Sequence, residues 1–277
     1  MKVEAHRLVD DAGAPVKFRA SPNHSGALQP SVLVIHYTAG HSADNAIEWL
    51  CNRTAKAAAH LVIGADGTIT QLVPFNVIAW HAGPSLWNDR DRLNAWSIGI
   101  ELDNPGFLSR TGNVWRTRLG RVVPDEEVIV ATHKHGGAET GWRIYPEAQL
   151  NVLEAVTMAL FEAYPLKEII GHDDIAPGRK RDPGPAFPMS HFRSRIVGRI
   201  DPDGPSTAPV FVTSAILNLR SQPSTQSAKV TELPPNTRLE LHERSGKWCR
   251  VEVMDAIQGD ADLEGWVHGG YIKPAVG

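Results

Sequence analysis

Val32-Leu33-Val34-Ile35-His36-Tyr37-Thr38-Ala39-Gly40 is the stretch on which the reading of the fold turns. Its four leading apolar residues are entered from Pro30 and left through Thr38-Ala39-Gly40, so they read as a buried β-strand of the inner kind that α/β domains build on. A histidine at the end of a central strand points into the cleft above the sheet, where such domains place their sites.

A second segment supplies chemistry for that cleft: Gly171-His172-Asp173-Asp174-Ile175-Ala176-Pro177-Gly178-Arg179-Lys180-Arg181-Asp182-Pro183-Gly184. It offers an imidazole, a carboxylate ten residues later and a cation two residues before that carboxylate, on a loop stiffened by Pro177 and Pro183. His172 and Asp182 alone are a partial metal site, because a catalytic zinc takes three protein ligands and keeps one position open for water. His36 is the best candidate for the third ligand. Two histidines and an aspartate would leave that fourth position free, and water held there has its pKa lowered to roughly 7. The natural reading is a hydrolase.

Four blocks in order now resemble a known family, the zinc-dependent N-acetylmuramoyl-L-alanine amidases of the type-2 group, which are related to peptidoglycan recognition proteins. They are Val34-Ile35-His36-Tyr37-Thr38-Ala39; Ala59-His60-Leu61-Val62-Ile63 with Asp66-Gly67-Thr68-Ile69; Trp80-His81-Ala82-Gly83 with Ser97-Ile98-Gly99-Ile100-Glu101-Leu102; and the loop from His172 to Gly184. The likeness covers about residues 30–190. It implies that His36, His172 and Asp182 bind Zn2+. It further implies that Glu101 handles protons, that Lys180 stabilises the oxyanion with the metal, and that His81 contacts substrate. Phage relatives carry a tyrosine just before the second-block histidine; Ala59 stands there in this chain, which leaves the proton work to Glu101.

The resemblance implies an α/β fold for residues 1–200, a mixed central sheet flanked by helices. The linker is expected at 201–209, where Asp201-Pro202-Asp203-Gly204-Pro205 opens a run rich in turn formers. Beyond it, 210–277 holds short strand candidates such as Leu217-Asn218-Leu219-Arg220, Leu239-Glu240-Leu241, Trp248-Cys249-Arg250-Val251 and Gly265-Trp266-Val267, the pattern of a small all-β barrel. Their order resembles bacterial SH3 (SH3b) domains, which implies a module that binds cell wall. Trp248 and Trp266 are expected in its core.

Within the first domain the sequence predicts a helix over Ser42 to Asn52 with Ser42 as its cap, and a hairpin turning at Asp66-Gly67. It predicts helices over Asp125 to Lys134 and Glu147 to Ala163, the latter with Leu150, Leu153, Val156 and Leu160 on one face. Residues 1–30 read as an arm wrapping the surface. The glycine-rich stretch from Asn104 to Tyr145, with Trp115 and Trp142, reads as long loops lining a substrate groove. His133 and His135, two apart on a predicted helix, diverge and read as surface residues. His60 reads as structural.

The net charge of −3 excludes the basic surplus that nucleic-acid binding shows, and 42% apolar residues suit a soluble globular chain. Cys51 and Cys249 fall in different proposed domains, so free thiols are expected. Met1-Lys2-Val3-Glu4-Ala5-His6 shows no signal-peptide core and no apolar run is of spanning length, so no membrane insertion is expected and the chain reads as cytoplasmic when made, with the wall or periplasm as its site of action. The expected partner is peptidoglycan or a muropeptide. The alternative is a catalytically silent peptidoglycan receptor; such relatives lose a zinc ligand, and none of the three is missing.

Overall fold

A computed structural model describes residues 1–200, 210–255, 257 and 263–275, with backbone alone over 197–200. The expected linker, 201–209, lies outside the described residues. The chain divides into two compact units, Met1–Ile200 and Asp201–Gly277.

The first unit is built on a six-stranded mixed sheet of β1 (Lys17–Phe18), β2 (Val32–Tyr37), β3 (Leu61–Ile63), β4 (Ile69–Gln71), β5 (Ser97–Leu102) and β6 (Glu168–Gly171), in the spatial order β6-β2-β5-β3-β4-β1. β6, β2, β5 and β3 run parallel, β4 returns antiparallel to β3, and β1 lies parallel to β4. The return is the predicted hairpin. Asp66 Oδ1 accepts from the Thr68 amide at 3.0 Å, and Gly67 takes φ of +86°, a conformation that side chains resist.

Alternation along the strands sorts their side chains between two covered faces. Leu33, Ile35, Leu61, Ile63, Ile98, Ile100 and Leu102 turn one way, against Leu153, Val156 and Leu160 of α2 (Glu147–Ala163) and Phe192 and Ile196 of α4 (Met189–Ile200). On the other face Val62 packs with Ile47 and Leu50 of α1 (Ala43–Leu50), and Val32 and Val34 pack with Ala82, Leu93 and Ile175. Ser42 caps α1 as expected, accepting from the Asn45 amide at 3.3 Å.

Register sets the site. Glu101 of β5 lies beside His36 of β2, and Gly171 of β6 lies beside Ile35, so His172 follows at the same level. Side-by-side residues of parallel strands share a face, and His36 alternates with Ile35, so His36 and Glu101 emerge on the face away from α2.

Three expectations are corrected here. The stretch from Asn104 to Tyr145 is a second, five-stranded sheet of Phe107–Thr111, Val114–Arg116, Val122–Val123, Val128–Ala131 and Thr140–Arg143, with Trp115 and Trp142 buried in it. The helix predicted over Asp125 to Lys134 is a short 3-10 turn, Asp125–Glu127, leading into the strand Val128–Ala131. Its run of β-branched Val128, Ile129 and Val130 favours extended backbone, and pairing with Thr140–Arg143 decides the matter. Residues 1–30 also do more than wrap the surface: Lys2–Glu4 and Arg7–Val9 form a hairpin whose Leu8 is fully buried in the main core.

The second unit is a seven-stranded antiparallel sheet in the order Lys229–Leu233, Leu217–Arg220, Glu264–His268, Trp248–Val253, Arg238–Ser245, Val210–Thr213, Ile272–Pro274. Leu217, Leu219, Leu233, Leu239, Val251, Val253 and Val267 make its core. Trp248 is buried, whereas Trp266 alternates with Val267 and is only half-buried, which corrects its expected place in the core. Among the described residues no helix is long and apolar enough to cross a membrane.

Candidate metal centre

His36, His172 and Asp182 come together at the C-terminal ends of β2 and β6. His36 is the penultimate residue of β2, His172 opens α3 (His172–Ile175) directly after β6, and Asp182 returns from the far end of the proline-stiffened loop. All three are buried. Nδ1 of His36 and Nδ1 of His172 are 2.8 Å apart, and Asp182 Oδ2 lies 3.1 Å from the first and 2.8 Å from the second. These edges are a few tenths of an ångström shorter than the ~3.3 Å expected between ligand atoms of a tetrahedral site with bonds of about 2.0–2.1 Å, so an ion would spread the three atoms slightly. The three residues form a group that could hold a metal ion.

The outer nitrogens of the two imidazoles make the same case. His172 Nε2 lies 3.1 Å from the Ala82 carbonyl oxygen, to which it must donate, leaving a lone pair on Nδ1 facing Asp182. His36 Nε2 lies 3.0 Å from His81 Nδ1, and His81 Nε2 faces the Ser97 carbonyl at 3.3 Å. One assignment satisfies the whole chain: each ring carries its hydrogen on Nε2, so both metal-facing Nδ1 atoms are free. Burial, then the neighbouring His172, drives the His36 imidazole down to about 4, so it is neutral at ordinary pH. For Asp182, burial works toward protonation, but the two histidines beside it hold the carboxyl well below the usual range. Two imidazoles and a carboxylate are a donor set that zinc takes.

His81 lies directly behind His36. Both its ring nitrogens have partners inside the chain and its side chain is buried. Gly99 makes this possible: a Cβ there would overlap the His81 ring, which lies across the strand. His60 accepts from the Gly99 amide at 3.0 Å through Nδ1 and donates to the Val77 carbonyl at 3.0 Å, the structural part expected of it.

Glu101 emerges beside His36, and its Oε2 is buried with no hydrogen-bond partner among the described residues. Burial, and then the charge of Asp182, raise its carboxyl to about 8, against the opposing pull of Lys180. An unpartnered carboxyl oxygen costs free energy unless something from outside completes it. Lys180, in the same loop as Asp182, acts by its charge on both Glu101 and His36.

Residues 26–185 match the family described as N-acetylmuramoyl-L-alanine amidase, more than half of the chain. The chain belongs to that family. Residues 215–273 match the bacterial SH3 domain. Among curated proteins, this amidase-family chain is 39% identical over 140 residues to the 1,6-anhydro-N-acetylmuramyl-L-alanine amidase AmpD of Escherichia coli (strain K12), which is 50% of this chain and 57% of AmpD. It is 32% identical over 176 residues to the N-acetylmuramoyl-L-alanine amidase AmiD of the same organism, covering 60% of this chain and 53% of AmiD. The chain therefore spans just over half the length of these relatives. A solved complex of AmiD from E. coli with anhydro-N-acetylmuramic acid-L-Ala-D-gamma-Glu-L-Lys aligns at 30% identity with a TM-score of 0.47, over 64% of this chain and 58% of that one.

One part of the amidase-family centre escaped the sequence reading. His133 and His135 both reach Asp173 beside His172: His133, expected on the surface, is buried with its Nε2 3.0 Å from Asp173 Oδ2, and His135, exposed as expected, has its Nε2 2.8 Å from the Asp173 carbonyl oxygen. Assigning a helix there sent the two rings apart. The segment is instead a turn after the strand Val128–Ala131, and its partner Asp173 lies 40 residues on, so no local period marked it.

Proposed function

We propose that the chain is a zinc-dependent N-acetylmuramoyl-L-alanine amidase, hydrolysing the amide between N-acetylmuramic acid and L-alanine in peptidoglycan or in muropeptides. The observation that carries the reading is the buried triangle of His36 Nδ1, His172 Nδ1 and Asp182 Oδ2, in a chain of the amidase family. Zinc held there would supply Lewis acidity, lowering the pKa of water toward ~7 and polarising the scissile carbonyl.

The remaining work falls to side chains of this chain. Glu101, with its carboxyl near 8 and an oxygen without a partner, takes a proton from the attacking water and passes it to the alanine nitrogen as the C–N bond breaks. Lys180 places a fixed positive charge where the oxyanion of the tetrahedral intermediate develops. His81 holds the ring of His36 in register and has no direct part in the chemistry.

The SH3-like unit would hold the enzyme on wall, and the names of the relatives suggest anhydro-muropeptides among the substrates. Sacculi and soluble muropeptides, treated with zinc-loaded protein and followed by mass spectrometry, test both ideas. Stem peptides beginning with L-alanine, lost on chelation and regained with zinc, are expected. Binding to sacculi with no release from either substrate would replace the enzyme with a receptor.

A further inference from the structure

Asp173 sits between two metal ligands in the chain's geometry and is itself almost inaccessible, at 2% exposure. Its amide donates to the carbonyl of Asp182 at 2.8 Å, tying the residue after His172 to the other end of the loop. Asp173 turns its other polar groups toward the tripeptide His133-Lys134-His135: Oδ2 lies 3.0 Å from His133 Nε2, its carbonyl lies 2.8 Å from His135 Nε2, and Oδ1, buried and without a hydrogen-bond partner among the described residues, pairs by charge with Lys134 Nζ at 2.8 Å. Lys134 also pairs with Asp174, whose Oδ2 accepts from the Gly171 amide at 2.8 Å.

The second sheet holds the loop at its other end too. His133 stacks on Trp142 with ring centroids 5.7 Å apart, and the Trp142 ring lies against Gly184, where a Cβ would overlap it. Tyr145 donates to the Pro183 carbonyl at 2.8 Å. A buried carboxylate next to a ligand is costly unless its partners are in place, so the conformation that exposes His172 Nδ1 to Asp182 is coupled to the presence of the tripeptide.

We propose that His133, Lys134 and His135 are positioning residues for the metal centre, acting through Asp173 to fix the spacing of His172 and Asp182. The inference rests on the metal reading above. Groups that orient metal ligands from behind typically change metal affinity by about 10–100-fold when removed.

The test uses the full chain and reads the metal, not turnover: zinc affinity by competition with a chromogenic chelator, and the visible spectrum of the cobalt-substituted protein. His133→Ala and Lys134→Ala are each expected to weaken zinc by about 10-fold or more and to alter the cobalt bands, with Lys134→Arg restoring both. Lys134, at 44% side-chain exposure, is the variant that carries the test should His133→Ala not fold. Unchanged affinity and an unchanged cobalt spectrum, even with a lower Tm, would make the tripeptide a structural brace and overturn the inference alone. A parent protein that binds no zinc overturns the metal reading, and the inference with it.

Discussion

His81 Nδ1 lies 3.0 Å from His36 Nε2, and the ring reaches that position only because it lies across the bare backbone of Gly99. Gly99→Ala is therefore predicted to push His81 aside, leave His36 Nε2 without its acceptor, and weaken zinc binding by about 10-fold or more. The overlap itself should cost about 1–3 kcal/mol of stability. Gly26→Ala, where added Cβ meets nothing, is the control. Chelator competition on both variants decides the matter, and equal zinc affinity in Gly99→Ala and the parent would remove His81 from the centre.

Glu101 sets a pH dependence that can be measured without substrate. Its carboxyl is raised from 4.5 to about 8 in the folded protein, so the folded state holds this proton more tightly than the unfolded chain. The stability it contributes is complete below about pH 4.5 and is lost as pH climbs toward 8. His36 and His60, lowered from 6.5 to about 4 chiefly by burial, act in the opposite sense, but only below about 6.5. Between pH 6.5 and 8 the metal-free protein should thus lose on the order of 2 kcal/mol that Glu101→Gln does not lose. Thermal melts of the two proteins across that window check it. Parallel curves would refute the raised carboxyl. Zinc should flatten the parent curve, because a nearby cation favours the carboxylate.

The ligands and the proton carrier should separate cleanly by substitution. Asp182→Ala and His36→Ala each leave two of three donors and are expected to lose zinc on dialysis, together with the rise in Tm that zinc gives the parent. Glu101→Gln should retain zinc and the rise in Tm while turnover falls by about 10²–10⁴-fold. Metal analysis after dialysis, paired with product release from muropeptides, reads both. A Glu101→Gln protein as active as the parent would exclude Glu101 as the proton carrier.

What the sequence made legible follows from which signals are local. The apolar run ending in His36 and the loop of His172 and Asp182 each carry their meaning within a few residues, and parallel register then brings them together. The 104–145 stretch was opaque because its glycines mask short strands, and its partners lie outside it: Trp142 on Gly184, His133 on Asp173. The contact of His81 with His36 was hidden for a related reason. A histidine beside a tryptophan gives no sign of which way its ring points, whereas the missing side chain at Gly99, 18 residues on, does.

The two units also predict a division of labour. Met1–Ile200 contains every residue of the centre and has its own cores, around Ile35 and Leu153 on one face of the sheet and Val34 and Ile175 on the other. The core of the second unit, Leu219, Leu239, Val251 and Val267, draws on none of these. A chain ending near Ile200 is thus expected to fold with a Tm within a few degrees of its transition in the full protein, to keep zinc, and to release stem peptides from soluble muropeptides at the parent rate. On insoluble sacculi the same truncation should lose retention in a pull-down, and with it the rate at low enzyme concentration, since tethering raises the effective concentration of enzyme at the wall. A truncated chain that sediments with sacculi as well as the parent would deny the SH3-like unit its targeting role while leaving the amidase centre untouched.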